Sequence, residues 1–498
     1  MAISLELIWF RVLEVVLISN AYTFAHLLAF ILFGYAVGSV CGSRLIERIS
    51  NPRRVFLWVQ GVVALYSVSV IWLIAWVVGR DPYGVLFSSG RGWSISGYLF
   101  LPAAMLLPPN ILIGFCFPVV QKAIQTDVRF VAQRIGLVQA SSIVGNVLGS
   151  VLTGLLMLDF WGTTGSLRTI SALGLMFALV FIWENFSVRG RSRKMIGGLL
   201  ALALLLLLFV FSDTKGFWAQ LHRVRAGDGF IVAEDAGGVA ALIERNDATT
   251  LYGNGHSQGK IPYTKSHTVL GILPALIHPD PKQVMVIGVG SSGTSFAVGI
   301  NPRTEHIVVA EILASEVAVL KAYAERKGEG ALKVFFGDNR YEIIITDGRR
   351  ELAVRDAQFD IIEADTIHPW RSQGGLLYSK EFFEEVRAKL AKGGIMAQWC
   401  PTKRVEATFL RVFPYVLKFP AVNILIGSNE PILYDPQIIF DHFEKTSHFT
   451  DYLNRGEISF DYRSEEWLSK GWTLDTLRIS DDVNTDLFPK DEYYLNNR

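Results

Sequence analysis

Long stretches of chain without charge set the first limit on what this sequence can fold into. Residues 22 to 43, 55 to 78, 97 to 120, 135 to 158, 166 to 183 and 195 to 212 are each almost wholly apolar. A bilayer core of about 30 Å takes about 20 such residues per helix, so these segments predict an α-helical transmembrane bundle over residues 1–212, with the lipid bilayer as its partner. Residues 3 to 19 form a shorter apolar run carrying Glu6, Arg11 and Glu14. That run reads as a partial span or an interfacial helix rather than a cleavable signal, because no small-residue cleavage site follows a charged start. The bundle then has six to seven spans. Gly145 and Gly149 form a G-x-x-x-G, read as helix packing ahead of dimerisation.

Charge divides the chain in the same place. The first 212 residues hold 15 Lys/Arg against 7 Asp/Glu, and the remaining 286 hold 32 against 39. The near-zero net charge therefore conceals a basic apolar half and an acidic polar half. A positive excess confined to membrane loops is a topology signal and not a nucleic-acid footprint, so no nucleic-acid partner is expected. Basic clusters occupy alternate loops: Arg44, Arg48, Arg53 and Arg54, then Lys122, Arg129 and Arg134, then Arg189, Arg191, Arg193 and Lys194. Those loops read as cytoplasmic, which would deliver the second half to the opposite side. Pro102, Pro108, Pro109 and Pro118 mark the third segment as a candidate for a broken or re-entrant span, which would invert that assignment. The side of the polar half stays open.

After residue 212 the pattern changes. Residues 213–265 read as a small β-hairpin subdomain with Gly-Gly and Asn-Gly turns. Residues 266–430 alternate short apolar runs with amphipathic stretches: V-M-V-I-G at 284 to 288, H-I-V-V-A-E at 306 to 311, Y-E-I-I-I-T-D at 341 to 347, F-D-I-I-E-A-D at 359 to 365 and G-I-M-A-Q-W at 394 to 399. This alternation predicts a doubly wound parallel sheet whose ligand sits at the carboxyl ends of the strands. Residues 431–498 read as a C-terminal extension.

The first of these strands ends in G-V-G-S-S-G, with Gly288, Gly290, Ser291 and Gly293, and Glu311 ends the next strand. Glycines let backbone approach a ligand closely, and a carboxylate at that strand end accepts both ribose hydroxyl protons. Asp347 and Asp365 end two further strands. Several carboxylates around one crevice suit a nucleoside with a cationic tail better than a pyrophosphate, which they would repel. No His/Cys/Asp/Glu spacing suits a metal, and no P-loop or nucleophile elbow occurs.

From about residue 251 to 401 these motifs, taken in order, resemble the spermidine synthase (polyamine aminopropyltransferase) family: L-P-A-L-I-H-P-D-P-K-Q-V-M-V-I-G-V-G-S-S-G, V-A-E-I, T-D-G-R-R-E-L, F-D-I-I-E-A-D and L-Y-S-K-E-F-F-E-E-V. The apolar half, with L-L-P-P-N-I-L-I-G-F-C-F-P and Q-A-S-S-I-V-G-N-V-L-G-S, is similar to multispanning proteins fused to such a domain. The resemblance implies an α/β Rossmann-like domain of the S-adenosylmethionine-dependent transferase type, in an integral membrane protein of a bacterial or archaeal cell membrane. It implies S-adenosylmethionine or decarboxylated S-adenosylmethionine as co-substrate and an amine acceptor; the residue spacing predicts no metal, and the G-x-x-x-G leaves a homodimer as one assembly. Glu311 would hold the ribose, Asp347 and Gly348 the adenine, and the glycine loop the sulfonium arm.

Three departures from the family pattern bear on the acceptor. Ser291 stands where the glycine loop usually carries an Asp, His368 stands where the catalytic loop D-S-S-D-P has its second Asp, and Ser266, His267 and Thr268 replace a Tyr-Gln-Glu. Asp365 keeps the first catalytic Asp, so Asp365 orients the nucleophile and His368 accepts its proton. His256, His267 and Tyr378 are candidate contacts to the acceptor or donor tail. Aminopropyl-type transfer with release of methylthioadenosine is the first reading. Cleavage of S-adenosylmethionine itself is the second, followed by methyl transfer and by a transporter or sensor that only binds its ligand.

Overall fold

The computed structural model describes residues 1–498 except 19, 81–87, 90–91, 94, 126–127, 186–190, 211–212, 246–247, 366–367, 446, 459, 461–464, 466–471, 474–479 and 494–498. Arg189, Ser212, and the Thr366 and Ile367 of D-T-I-H-P lie outside the described residues. By contacts the chain divides into two compact units. One is Met1–Ser19, Thr23–Phe230 and Glu234–Gly238, and the other is Asn20–Tyr22, Ile231–Ala233 and Val239–Arg498.

The first unit is helical: α1 Ala2–Leu17, α2 Ala21–Leu45, α3 Pro52–Val78, α4 Ile95–Ile124, α5 Val131–Val151, α6 Gly162–Glu184, α7 Arg191–Val210 and α8 Thr214–Leu221. Among the described residues four helices are long and apolar enough to cross a membrane: Ala21–Arg48, Pro52–Val78, Gly97–Ile124 and Val131–Glu184. A fifth span is added if the bent pair Lys194–Val210 and Thr214–Leu221, at 87°, counts as one. The Val131–Glu184 stretch takes in two expected segments, 135 to 158 and 166 to 183. It is π-helical over Leu152–Trp161, and Gly162 at φ +64° interrupts it. The proline-rich third segment is one helix of 30 residues with all four prolines inside it, not a re-entrant loop. Each proline removes a single backbone donor, which neighbouring helices make tolerable.

The backbone-to-backbone packing in this unit uses glycines outside the pair at 145 and 149, of which Gly149 meets the Ile3 side chain of α1. A Cβ on Gly38 would strike the Ile111 carbonyl and one on Gly114 the Tyr35 carbonyl, so α2 and α4 approach backbone to backbone. Nothing lies within 4 Å of the Cβ position of Gly145, and at Gly149 only Ile3 and Ser4 do.

The α/β half opens with a four-stranded sheet in chain order, β1 Phe230–Glu234, β2 Val239–Glu244, β3 Thr249–Gly253 and β4 His256–Ile261. The expected Asn-Gly turn joins β3 to β4, with Asn254 at φ +46° and Gly255 at φ +78°, the left-handed pair a two-residue hairpin needs. Next come α9 Lys265–Ile277, β5 Gln283–Ile287, α10 Gly293–Val298, β6 His306–Glu311, β7 Tyr341–Ile345, β8 Phe359–Ala364, β9 Leu390–Trp399, β10 Tyr415–Phe419, β11 Ile424–Ser428 and β12 Trp472–Thr473.

These eight strands form one sheet in the order β12-β10-β11-β9-β8-β5-β6-β7. The five strands from β9 to β7 pair parallel, as the sequence pattern predicts. The other edge is antiparallel, which makes the sheet mixed rather than purely parallel. The link from Phe419 to Ile424 is too short for a crossover and allows only an antiparallel neighbour. Alternate residues of the central strands enter two cores: Val284, Val286 and Ile361 face one, and Met285, Ile287 and Ile362 the other. Burial on both faces turns these strands into continuous apolar runs. Strand β5 has β8 on one side and β6 on the other, so the order reverses at its carboxyl end, the place where such sheets open a crevice for ligand.

Candidate active site

The loop after β5 is shaped by what presses on it. Gly288 holds φ +98°, and the Asp365 carbonyl oxygen lies 2.5 Å from where its Cβ would stand. Gly290 holds φ +48°, with the Gln258 carbonyl oxygen 3.3 Å from the same point. Only glycine serves both demands at residue 288. Gly288→Ala should cost about 1–3 kcal/mol of stability. A denaturant melt unchanged from wild type would contradict this reading of the loop.

Glu311, at the end of β6 and 5% exposed, grips that loop. Its Oε2 accepts the Val289 N–H at 2.8 Å and its Oε1 accepts the Leu313 N–H at 2.9 Å. A carboxylate has about four lone-pair positions, so capacity for a ribose remains. Burial pushes its pKa up against these backbone bonds, and the charge of Asp365 adds to the rise. Asp347 caps the next helix by accepting the Arg350 N–H at 2.9 Å. A Cβ on Gly348 would strike the side chain of Ile287, so this loop rests on the end of β5.

Asp365 follows directly on β8, and its partner is His267 in the first turn of α9. Their closest approach is 3.1 Å, from Nδ1 to Oδ2, with side chains 28% and 12% exposed respectively. Asp365 raises the pKa of His267 against the opposing effect of burial. In return, burial works to raise Asp365, but the charge and hydrogen bond of His267, with a bond from Thr294, leave its pKa below the ordinary carboxylate value. The carboxylate therefore holds Nδ1 of His267 and makes the ring more basic than an ordinary histidine.

His368, expected to act with Asp365, instead packs among rings. Its centroid lies 5.5 Å from His256, 4.8 Å from Trp370 and 5.0 Å from Trp399. Burial lowers its pKa, and the charges of Arg371 and His267 lower it further. His256 is pushed down to about 4 by burial, with Arg371 and His368 adding to the effect. Three histidines thus gather at this edge, His267 made more basic and His256 and His368 less basic than an ordinary histidine. Tyr378 is fully buried in the core with Phe382 and Phe383, and is not among the residues brought together here. Ser291 is 2% exposed, and its Oγ has no hydrogen-bond partner.

Sequence reasoning placed His267 near the ligand but not on Asp365, and it passed over Gln258, Trp370, Trp399 and Glu363. For Glu363 a signal existed, a charge within an apolar strand run. Among the described residues no group of three His, Cys, Asp or Glu side chains could hold a metal ion.

Residues 264–406 match the spermine/spermidine synthase domain. A polyamine aminopropyltransferase of Pseudomonas syringae pv. tomato is 33% identical over 130 residues, 26% of this chain and 44% of the relative. The chain thus spans less than half the length of that relative. A polyamine aminopropyltransferase of Leptospira interrogans is 23% identical over 443 residues, 82% of each chain, a coverage too wide to be confined to the α/β half. A solved spermidine synthase in complex with the transition-state analogue AdoDATO is 21% identical, with TM-score 0.38, covering 53% of this chain and 88% of that one. Within the α/β half residues 264–406 resemble the spermine/spermidine synthase domain, and the chain as a whole is similar to the polyamine aminopropyltransferases.

Proposed function

We propose that this protein transfers an aminopropyl-type group from an S-adenosylmethionine-type sulfonium donor to an amine, releasing 5′-methylthioadenosine, with its helical half embedded in a bilayer. The observation that carries the reading is the Asp365–His267 pair at the strand edge where the glycine loop and Glu311 meet. The neutral amine nitrogen attacks the carbon bonded to sulfur, the carbon–sulfur bond breaks, and its electron pair leaves on a neutral thioether. No acid is needed for that departure. The new ammonium must shed a proton, and His267 takes it, with Nδ1 held by Asp365 and Nε2 accepting. His256 and His368 are neutral at pH 7 and offer lone pairs to the ammonium without repelling it.

The test is detergent-solubilised protein supplied with each sulfonium donor, with and without putrescine, and products identified by mass. Methylthioadenosine formed only with amine supports transfer; formed without amine, it indicates cleavage of the donor; S-adenosylhomocysteine would sink both.

The pH dependence has a definite sign. His267 is a base only when neutral, and Asp365 raises its pKa, so kcat/KM should fall on the acid side with a midpoint above the ordinary histidine value of about 6.5. His267→Gln should remove that limb. A midpoint at or below the ordinary value rejects His267 as the base.

A further inference from the structure

Glu363 is a carboxylic acid where the fold has no use for one. It lies on β8 two residues before Asp365 and is fully buried, and neither carboxyl oxygen has a hydrogen-bond partner. Its register neighbours are Val286 on β5 and Ala397 on β9, and neither side chain can donate a hydrogen bond. Strand alternation puts Glu363 on the face it shares with Ile361 and Asp365, the face whose core includes Val269, Leu270 and Leu273 of α9. An unpartnered buried carboxyl is costly, and folded proteins rarely keep one without a reason. Burial, with the charge of Asp365 adding, holds its pKa well above the ordinary carboxylate range and so favours its neutral form.

Two more buried oxygens also have no partner: Ser291 Oγ in the glycine loop and Ser295 Oγ in α10. They are 2% and 0% exposed. Among the described residues the Glu363 carboxyl and these two hydroxyls have no donor or cation in hydrogen-bond contact. A primary ammonium group has three donors and one positive charge, which is what this set lacks.

We propose that Glu363 is the acid that binds a primary ammonium group of a substrate, ionising as the ammonium enters. This rests on the transfer reading above. The ammonium belongs either to the tail of the sulfonium donor or to the acceptor amine. The proton lost by Glu363 goes to solvent, so binding exchanges a buried neutral acid for a buried ion pair. His267 and Asp365 are the charged groups beside it, and they stay paired with one another.

The experiment compares wild type with Glu363→Gln and Glu363→Leu. It measures melting temperature, affinity for decarboxylated S-adenosylmethionine and for methylthioadenosine, and the acceptor KM. Methylthioadenosine lacks the ammonium and serves as the control. In both variants we expect a melting temperature no lower than wild type, unchanged methylthioadenosine affinity, and a loss of at least tenfold in one ammonium-bearing ligand. Loss in donor affinity assigns the site to the donor tail, and loss in acceptor KM assigns it to the acceptor. If wild type turns over the donor while both variants match it for every ligand, or lose donor and methylthioadenosine alike, the assignment of Glu363 is overturned and the transfer reading stands. If wild type neither binds nor turns over either donor, the transfer reading fails and takes this one with it.

Discussion

Asp365→Asn should lower kcat by about 10³-fold, within the range general-base catalysis supplies, while affinity for methylthioadenosine stays near wild type. The amide keeps the shape of the carboxylate but loses the charge that raises the His267 pKa and fixes Nδ1 as donor. His267 would then be free to turn its lone pair inward, toward residue 365. The glycine loop should survive, because Gly288 is pressed by the Asp365 backbone carbonyl, which the substitution leaves in place. Stopped-flow turnover beside equilibrium binding of the nucleoside separates these effects. Unchanged kcat would remove Asp365 from the chemistry, and equal losses in turnover and binding would make it a structural residue.

The largest stability effect should come from Arg404→Ala. Arg404, 5% exposed in its side chain, donates to Asp491 at 2.6 Å and to Asp482 at 2.8 Å, and Asp491 is fully buried. Removing the guanidinium leaves Asp491 as a buried carboxylate with only the Thr402 hydroxyl and the Asn484 amide for support. Such a loss costs about 3–5 kcal/mol. The same C-terminal stretch is held by Arg349 on Asp486 and by Glu492 on the Gln373 and Gly375 N–H groups, so it should loosen as a unit. Denaturant unfolding followed by tryptophan fluorescence measures the cost, and proteolysis shows whether residues 481–493 become cleavable. A loss under 1 kcal/mol would show that the pair is not needed.

Much of the architecture was legible because it depends on local pattern. Runs of 20 apolar residues read as helices, the Asn254–Gly255 pair read as a hairpin turn, and the glycine loop after V-M-V-I-G with the acidic end of H-I-V-V-A-E read as a ligand edge. The antiparallel edge of the sheet was missed, since the pattern of β10 and β11 does not reveal which strand they join. Of the G-x-x-x-G at 145 only Gly149 meets another helix, while Gly38 and Gly114 make the backbone-to-backbone approach, because a glycine's role depends on what arrives opposite it.

The sequence by itself determined a two-part chain, an alternation of strands and helices with a glycine loop after its first strand, and which carboxylates end those strands. Periodicity and turn chemistry act over a few residues and need no partner to be read. Only the tertiary structure decided that Asp365 pairs with His267, 98 residues away in sequence, rather than with His368 three residues on. Only it showed that Glu363 stands buried with no partner at all. Proton affinity follows from burial and from the nearest charge, and both exist only once α9 has packed on the sheet.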